Sequence, residues 1–303
     1  MAIVDETRLT PPGEVVIAAV PVGGRLGDLV YQLRGNPATF VGLAIVGLIV
    51  LAAIFGPLIA PFDPYHVDVN AAALSPSLTH PFGTDQYGED LVTRVMVAAR
   101  LDLMMAASAV LLSMAVGVTL GALSGFFGRW LDEGIMRSQD VLQAFPRFVF
   151  AMAVAWAMGP GIITVIVATA TINVPGYARL VRGQALHLKN EAFVEAARVA
   201  GASGLRIAVR HILRNCLTPI IVVATLQCGW AILEAAGLSF IGLGVRVPQA
   251  EWGVMIAMGL QDFLQGHWWI YTFPGLAIAV AVLGFNLFGD GLQDVLDPKR
   301  RRA

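Results

Sequence analysis

Charged residues are scarce in this chain of 303 residues. They account for 14% of the sequence, whereas an ordinary soluble domain contains about 25%. Hydrophobic residues account for 57%, and the formal net charge of -1 provides no general attraction for nucleic acid. The shortage of charge therefore indicates a protein whose surroundings are membrane lipid, and nucleic acid is not an expected partner.

Lysine and cysteine are rarer still. Neither of the two lysines, Lys189 and Lys299, lies in a GxxxxGKS/T phosphate-binding loop, so ATP, if it is used, is expected to bind another chain. Cys216 and Cys228 are predicted to lie about 18 Å apart along one helix, which is too far for a disulfide. The five histidines have neither HxxxH nor HExxH spacing. No catalytic residue, metal site or cofactor is therefore expected.

Six membrane-spanning helices are predicted from uncharged segments of about 20 residues or more. Residues 1–38 are assigned to a cytoplasmic tail, residues 39–60 to the first helix and residues 61–100 to a polar external loop. Residues 101–292 are assigned to a core of five further helices, and residues 293–303 to a second tail. The predicted fold class is therefore all-α, a polytopic membrane protein with six transmembrane helices.

The later helices are placed by the same criterion. Residues 103–127 carry no charge and predict the second helix. The apolar segment 148–178 is too long for one helix and too short for two, so the third helix is predicted to begin well before Arg147. The fifth helix is predicted to begin at Leu217, and the sixth lies within residues 263–289.

Three charged residues fall inside these predicted helices. Asp140 and Arg147 are placed on one face of the third helix, which Pro146 should kink, because seven residues make about two turns. They are interpreted either as interfacial residues that satisfy each other or as contacts of a gate or translocation pathway, since charges within membranes generally face a bundle interior or a water-filled cavity. Glu234 has no evident partner on its own helix, and an inter-subunit or pathway role is considered for it.

Basic residues are concentrated on one side of the predicted bundle. Only Arg94, Arg100 and Arg246 are assigned to the opposite side. Lys and Arg accumulate in cytoplasmic loops, and an even number of spans returns the chain to the side on which it began. Both termini are therefore predicted to lie in the cytoplasm, with the chain as a multi-pass component of a cytoplasmic membrane.

The longest inner loop, residues 183–215, contains an Ala-rich segment that favours a short helix. Gly201 is predicted to end this helix, because glycine is common just after a helix terminus. Phe193, Val194 and Ala197 are spaced three or four residues apart and would form an exposed apolar patch. Either a partner protein covers this patch or the helix packs back on its own bundle, and the residues alone favour neither.

The same loop carries the motif of a known family. The letters EAA at residues 195–197, followed by Gly201 and by IL at residues 212–213, resemble the EAA loop of permease subunits in bacterial ABC importers. Further blocks resemble the dipeptide, oligopeptide and nickel branch of that family: HPFGTD at 80–85, PGYARLVR at 175–182, LSFIGLG at 238–244, EWG at 251–253 and FPGLA at 273–277. The ending DPK at residues 297–299 is similar to the second of that branch's two permease subunits. Arg214 departs from the family, which usually has proline there, so the loop's exit is expected to be straighter than usual.

The resemblance implies a MetI-like permease fold and a set of partners. These are a homologous second permease, two cytosolic ATPase subunits or domains, and an extracytoplasmic solute-binding protein. The chain itself would lie in the bacterial inner membrane. This chain would form half of the translocation pathway and would catalyse no reaction itself. The resemblance implies that the EAA helix couples it to the ATPase, through Phe193, Val194, Glu195, Ala196, Ala197, Arg198 and Gly201.

Several alternatives stay open at this point. The cargo could be dipeptides, oligopeptides, glutathione-like thiols, opines or nickel chelates, and the ATPase domains could lie on one chain or two. A stand-alone secondary transporter or channel would usually contain an internal repeat and more ionisable residues within the membrane. An intramembrane enzyme would need a nucleophile with a base, or a metal cluster, at workable spacing. The sequence provides no evidence for either alternative.

Overall fold

The computed structural model describes residues 37–296 of the chain. In this part the regular structure is helical and contains no β-strand, which confirms the all-α class. The longer helices, in chain order, are α1 (Pro37–Ile59), α2 (Leu91–Phe127), α3 (Arg129–Ala144), α4 (Arg147–Met158), α5 (Ile162–Leu188), α6 (Ala192–Val199), α7 (Leu217–Phe240), α8 (Trp252–Gly259) and α9 (Trp269–Leu296). The first tail and most of the second lie outside the described residues.

Five of these helices are long and apolar enough to cross a membrane, namely α1, α2, α5, α7 and α9. Helices α3 and α4 satisfy the same criterion together, as a pair bent by 94°. The bundle therefore has five spans, or six if the bent pair is counted as one broken span. This result confirms a polytopic membrane fold and leaves the prediction of six spans dependent on the bent pair.

Helix α2 begins at Leu91 and not at residue 103 as predicted. Asp90 caps it by accepting a hydrogen bond from the backbone N–H of Thr93 at 2.8 Å. The sequence prediction was wrong because Arg94 was placed in the external loop and the second helix was started only after the charge of Asp102. Both side chains are buried in the bundle, so their charges do not end the helix. The predicted external loop of residues 61–100 is correspondingly shorter.

The third helix is broken rather than kinked. Phe145 has an extended backbone (φ -91°, ψ 145°), as is common for a residue that precedes proline, and Pro146 supplies no backbone N–H to continue the helix. Helix α4 starts anew at Arg147 in a different direction. The prediction that Asp140 and Arg147 share one helix face is therefore wrong.

The remaining boundaries differ by several residues from those predicted. Helix α5 continues to Leu188 and α7 begins at Leu217, so the inner loop is close to its predicted extent. Helix α7 ends at Phe240. Helix α9 continues to Leu296, inside the predicted tail of residues 293–303. Its last turns remain helical although they contain Asp290 and Asp294.

Small residues bring α2 and α5 into close contact. Gly117, Gly121 and Gly125 recur every four residues on the side of α2 that faces α5. A Cβ atom at Gly117 would lie 2.6 Å from the carbonyl oxygen of Val174, and one at Gly121 would overlap the carbonyl oxygen of Ala178. Small residues at this spacing allow membrane helices to approach closely. The close approach fixes α5, which contributes residues to both functional regions described below.

Candidate functional site

The inner loop contains the short helix α6, Ala192–Val199, with an ordered end. Gly201 has a φ of +80°, which favours glycine. Its N–H donates to the carbonyl of Arg198 at 2.9 Å, and the N–H of Ala202 donates to the carbonyl of Ala197 at 3.0 Å. These two hydrogen bonds form a Schellman motif. The sequence prediction that Gly201 ends the helix is confirmed.

One face of α6 packs against the chain's own bundle. Val194 is fully buried in a cluster with Tyr177, Val181 and Ile207, and Ala197 contacts the same cluster. The predicted exposed patch of Phe193, Val194 and Ala197 is therefore wrong for Val194. The helix is amphipathic, and the sequence could not show which of its apolar residues would meet the ends of α2 and α5.

The opposite side of α6 is exposed. Phe193 is 38% exposed and Val199 is 91% exposed, while Glu195, Ala196 and Arg198 are exposed as well. We call Phe193, Ala196 and Val199 the outer strip of α6. A single short helix thus has one side buried in the bundle and another available to a partner, so the two interpretations left open by the sequence both describe part of it.

The chain enters the loop from α5 and leaves it into α7. The exit contains a π-helical segment, Ile207–Ile212, whose Ile207 and Ile212 are buried, followed by Leu213–Asn215. Cys216 then keeps a right-handed helical backbone (φ -87°, ψ -7°) up to the start of α7. Helical or tightly packed residues therefore occupy both ends of the loop.

A cavity of about 290 Å³ lies beside the break between α3 and α4. We call it the bundle cleft. It is lined by residues of α3, α4, α5 and α7, namely Leu142, Gln143, Arg147, Ile172, Asn173, Pro175, Gly176 and Gln227. Asn173 lies about 16 Å along α5 from Ile162, which is close to the middle of that span. The bundle cleft is therefore a cavity between four helices, lined by both polar and apolar residues.

Arg147 and Glu234 meet at this cleft, although they are far apart in the sequence. Arg147 Nη2 lies 3.0 Å from Glu234 Oε1 and donates to Asn173 Oδ1 at 2.6 Å. Asn173 Nδ2 donates in turn to Glu234 Oε2 at 2.9 Å. The Arg147 side chain is 55% exposed and that of Glu234 is 12% exposed. Both carboxylate oxygens of Glu234, for which no partner was evident, therefore accept a hydrogen bond.

Asp140 is not a partner of Arg147. It forms an ion pair with Arg179 of α5 at 2.8 Å, and both side chains are about half exposed. Arg179 also donates a hydrogen bond to Gln143, which lines the bundle cleft. The prediction that Asp140 and Arg147 might satisfy each other is wrong, because the break at Phe145 separates them.

Sequence reasoning missed two residues of this polar network, Asn173 and Arg179. Arg179 lies within the PGYARLVR block, and its place in a family block could have marked it as a candidate functional residue. Asn173 is a single amide within an apolar segment, and only its contacts show its importance. Within residues 37–296, no group of three or more His, Cys, Asp or Glu residues is arranged to hold a metal ion.

A bundle of apolar helices, with a cleft between four of them and an ordered loop joining two of the cleft's helices, defines a polytopic membrane protein. The chain belongs to the family of binding-protein-dependent transport system inner membrane components, which matches residues 117–302. The N-terminal transmembrane domain of oligopeptide transport permease C matches residues 25–76. These matches confirm the family resemblance seen in the sequence.

Several curated relatives are similar over nearly their full length. The chain is 44% identical over 271 residues to the probable D,D-dipeptide transport system permease protein DdpC of Escherichia coli K12, covering 89% of this chain and 91% of the relative. It is 43% identical over 296 residues to the dipeptide transport system permease protein DppC of Alkalihalophilus pseudofirmus, covering 98% and 96%. It is 44% identical over 270 residues to the glutathione transport system permease protein GsiD of Escherichia coli O6:K15:H31, covering 88% of each.

Proposed function

We propose that this chain is one of two permease subunits in an ATP-driven importer for dipeptides, oligopeptides or similar small solutes. The relatives named for dipeptide transport and the relative named for glutathione transport are about equally similar to it, which favours short peptides and peptide-like compounds as cargo. Its partners would be a homologous second permease, two cytosolic ATPase subunits or domains and an extracytoplasmic binding protein. The ATPase chains would hydrolyse ATP. A stand-alone secondary transporter or channel is not favoured, because the matches are to permease components.

The observation that carries this proposal is the position of α6 between α5 and α7. The outer strip, Phe193, Ala196 and Val199, would dock on an ATPase domain, with Glu195 and Arg198 at its margin. Val194 and Ala197 would not contact the ATPase. Instead they would transmit its movement to the buried cluster beneath α6. This assignment revises the docking face expected from the sequence, and it keeps Gly201 as the residue that fixes the end of α6.

Movement of α6 would alter the bundle cleft through α5 and α7. Asn173 of α5 and Gln227 of α7 line the cleft, and Glu234 of α7 is hydrogen-bonded to Asn173. ATP binding would then bias the bundle between inward-open and outward-open states. Arg147 and Glu234 would belong to the translocation pathway. Asp140, paired with Arg179 at the margin of the cleft, would belong to its inner entrance.

The docking surface can be tested with a carboxylate at each of two exposed valines. Val199 is 91% exposed on α6, and Val69 is 79% exposed in the segment between α1 and α2. We expect Val199→Asp to reduce recovery of the ATPase subunits in a pull-down about tenfold, roughly the contribution of one buried valine. Val69→Asp is the matched control and should leave recovery unchanged. Equal recovery with both variants would assign coupling to another surface.

The orientation of the bundle is tested separately. Ser77 and Ser203 are both exposed, one between α1 and α2 and the other after α6. In intact cells, a cysteine at Ser77 should react with an impermeant thiol reagent, and a cysteine at Ser203 should react only after the membrane is opened. The parent chain, with Cys216 and Cys228, provides the background. The reverse pattern would place the termini outside and would contradict a cytoplasmic α6.

A further inference from the structure

Arg147 uses only one of its three side-chain nitrogens for protein contacts. Nη2 serves both Asn173 and Glu234, whereas Nε and Nη1 have no hydrogen-bond partner within the described residues 37–296. A guanidinium carries five N–H donors in a planar fork. The side chain is 55% exposed and lines the bundle cleft. Arg147 therefore keeps free donors at the edge of a cavity.

The two partners of Arg147 have no such capacity left. Glu234 accepts from Arg147 on one oxygen and from Asn173 on the other, and it is only 12% exposed. Asn173 is buried and also donates to the carbonyl of Thr169 at 2.8 Å. Asn173 and Glu234 therefore hold the guanidinium from one side, and the Glu234 carboxylate neutralises its charge when no solute is bound. The group that remains available to a solute is the guanidinium itself.

A purely structural role explains these features poorly. Arg147 is the first residue of α4, where the helix dipole disfavours a positive charge. An arginine within a membrane-spanning segment is costly unless it faces a partner or a water-filled cavity. Elsewhere in this chain a structural arginine is enclosed, because the side chain of Arg94 is 1% exposed and contacts Glu89 and the carbonyl of Pro64. Arg147 is held by protein contacts and yet left open.

The geometry points to a carboxylate-binding residue in the translocation pathway. We propose that Arg147 binds the terminal carboxylate of a peptide through Nη1, while Glu234 and Asn173 hold Nη2 and so position the guanidinium. The contact with the carboxylate is one charge-assisted hydrogen bond, because both bidentate edges of a guanidinium include the occupied Nη2. A lysine has a single side-chain nitrogen, so it cannot hold Glu234 and Asn173 with one nitrogen and offer a second nitrogen to the peptide. The amide side chains of Gln143 and Gln227 line the same cleft and could hydrogen-bond the peptide backbone. A volume of about 290 Å³ suits the end of a short peptide. The inference rests on the proposed function as an importer permease and adds the cargo group that this chain recognises.

The test uses the complete complex in vesicles, with a dipeptide loaded on the binding protein. Arg147→Lys keeps a positive charge near Glu234 but loses the second nitrogen that faces the cleft. We expect dipeptide uptake per ATP hydrolysed to fall about tenfold, the effect of one charge-assisted hydrogen bond, while recovery of the ATPase subunits is unchanged. A residue that only fastens α4 to α7 should tolerate this change, so uptake at the parental rate would overturn the proposal.

A charge exchange provides a second, independent measurement. The double variant Arg147→Glu with Glu234→Arg restores the ion pair but presents a carboxylate to the cleft. We expect it to assemble with the ATPase and to import little dipeptide, and recovery of uptake would assign the pair a structural role only. If the exchange prevents assembly, Arg147→Lys decides. Failure of the parent complex to import any peptide would contradict the proposed function itself, which is a different outcome from equal uptake by parent and variant.

Discussion

Arg94 and Arg147 lie in two clusters of charge within the same apolar bundle, and the clusters are built differently. The Arg94 side chain is 1% exposed and is surrounded by Glu89, by Asp85 at 3.8 Å and by the carbonyl of Pro64 at 3.1 Å. The Arg147 side chain is 55% exposed and is held by partners on one side only. The two clusters therefore differ in how far they are enclosed, and we propose that they also differ in their use.

The enclosed cluster joins the segment between α1 and α2 to the bundle. His80 Nδ1 lies 2.9 Å from Asp90, which also caps α2, and Thr84 accepts a hydrogen bond from Leu74 and donates one to the carbonyl of Ala71. Such an enclosed network stabilises a fixed arrangement. The open cluster instead lies beside a cavity, between helices that the loop containing α6 connects. We therefore assign stability to the first cluster and transport to the second.

Removing the enclosed arginine should have the largest effect on stability. Arg94→Ala leaves Glu89 and Asp85 buried without their cation, and breaking a buried ion pair costs about 3–5 kcal/mol. We expect a large decrease in the free energy of unfolding, measured by thermal or denaturant unfolding of the purified protein. Arg100→Ala is the matched control, because Arg100 is an exposed arginine on the same helix. If both variants lost the same amount of unfolding free energy, the enclosure of Arg94 would not explain its contribution to stability.

The pH dependence of the enclosed cluster should be an intermediate effect. Burial, together with the neighbouring Asp85 carboxyl, raises the pKa of Glu89 from 4.5 to about 7, although Arg94 partly offsets this. Protonation of Glu89 therefore favours the folded state, and its contribution is fully present below pH 4.5 and is lost as the pH rises towards 7. Glu89→Gln should flatten the stability profile across this interval. An unchanged slope in unfolding curves recorded at several pH values would show that Glu89 is ionised in the folded protein.

Removing the open arginine should have the smallest effect on stability. Arg147→Ala breaks a pair in which the arginine side chain is 55% exposed and that of Glu234 is 12% exposed, so the cost should lie between about 1 kcal/mol for an exposed pair and about 3–5 kcal/mol for a buried one. Glu234 keeps its hydrogen bond from Asn173 and gains access to water in the cleft. We expect a smaller decrease in unfolding free energy than for Arg94→Ala, together with a clear loss of peptide uptake by the reconstituted complex. A loss of stability as large as that of Arg94→Ala would place both arginines in the structural class.

Local patterns in the sequence were sufficient for the general architecture. The absence of charge over long segments predicted the first helix almost to the residue, at 39–60 against Pro37–Ile59. The Ala-rich segment before Gly201 predicted α6 and its end, and the EAA motif with its companion blocks predicted the family. These features depend on residues that are neighbours along the chain, so the sequence alone determines them.

Tertiary structure decided which side chains meet. Arg147 and Glu234 are brought together by the break at Phe145 and by the packing of α4, α5 and α7, and Asn173 joins them from a third helix. Val194 faces the bundle because the ends of α2 and α5 offer it a buried cluster. Whether a charge ends a helix or is buried within it depends on distant partners, as Arg94 shows. Hydrophobicity acts over the length of a segment, but burial and pairing are properties of the assembled bundle.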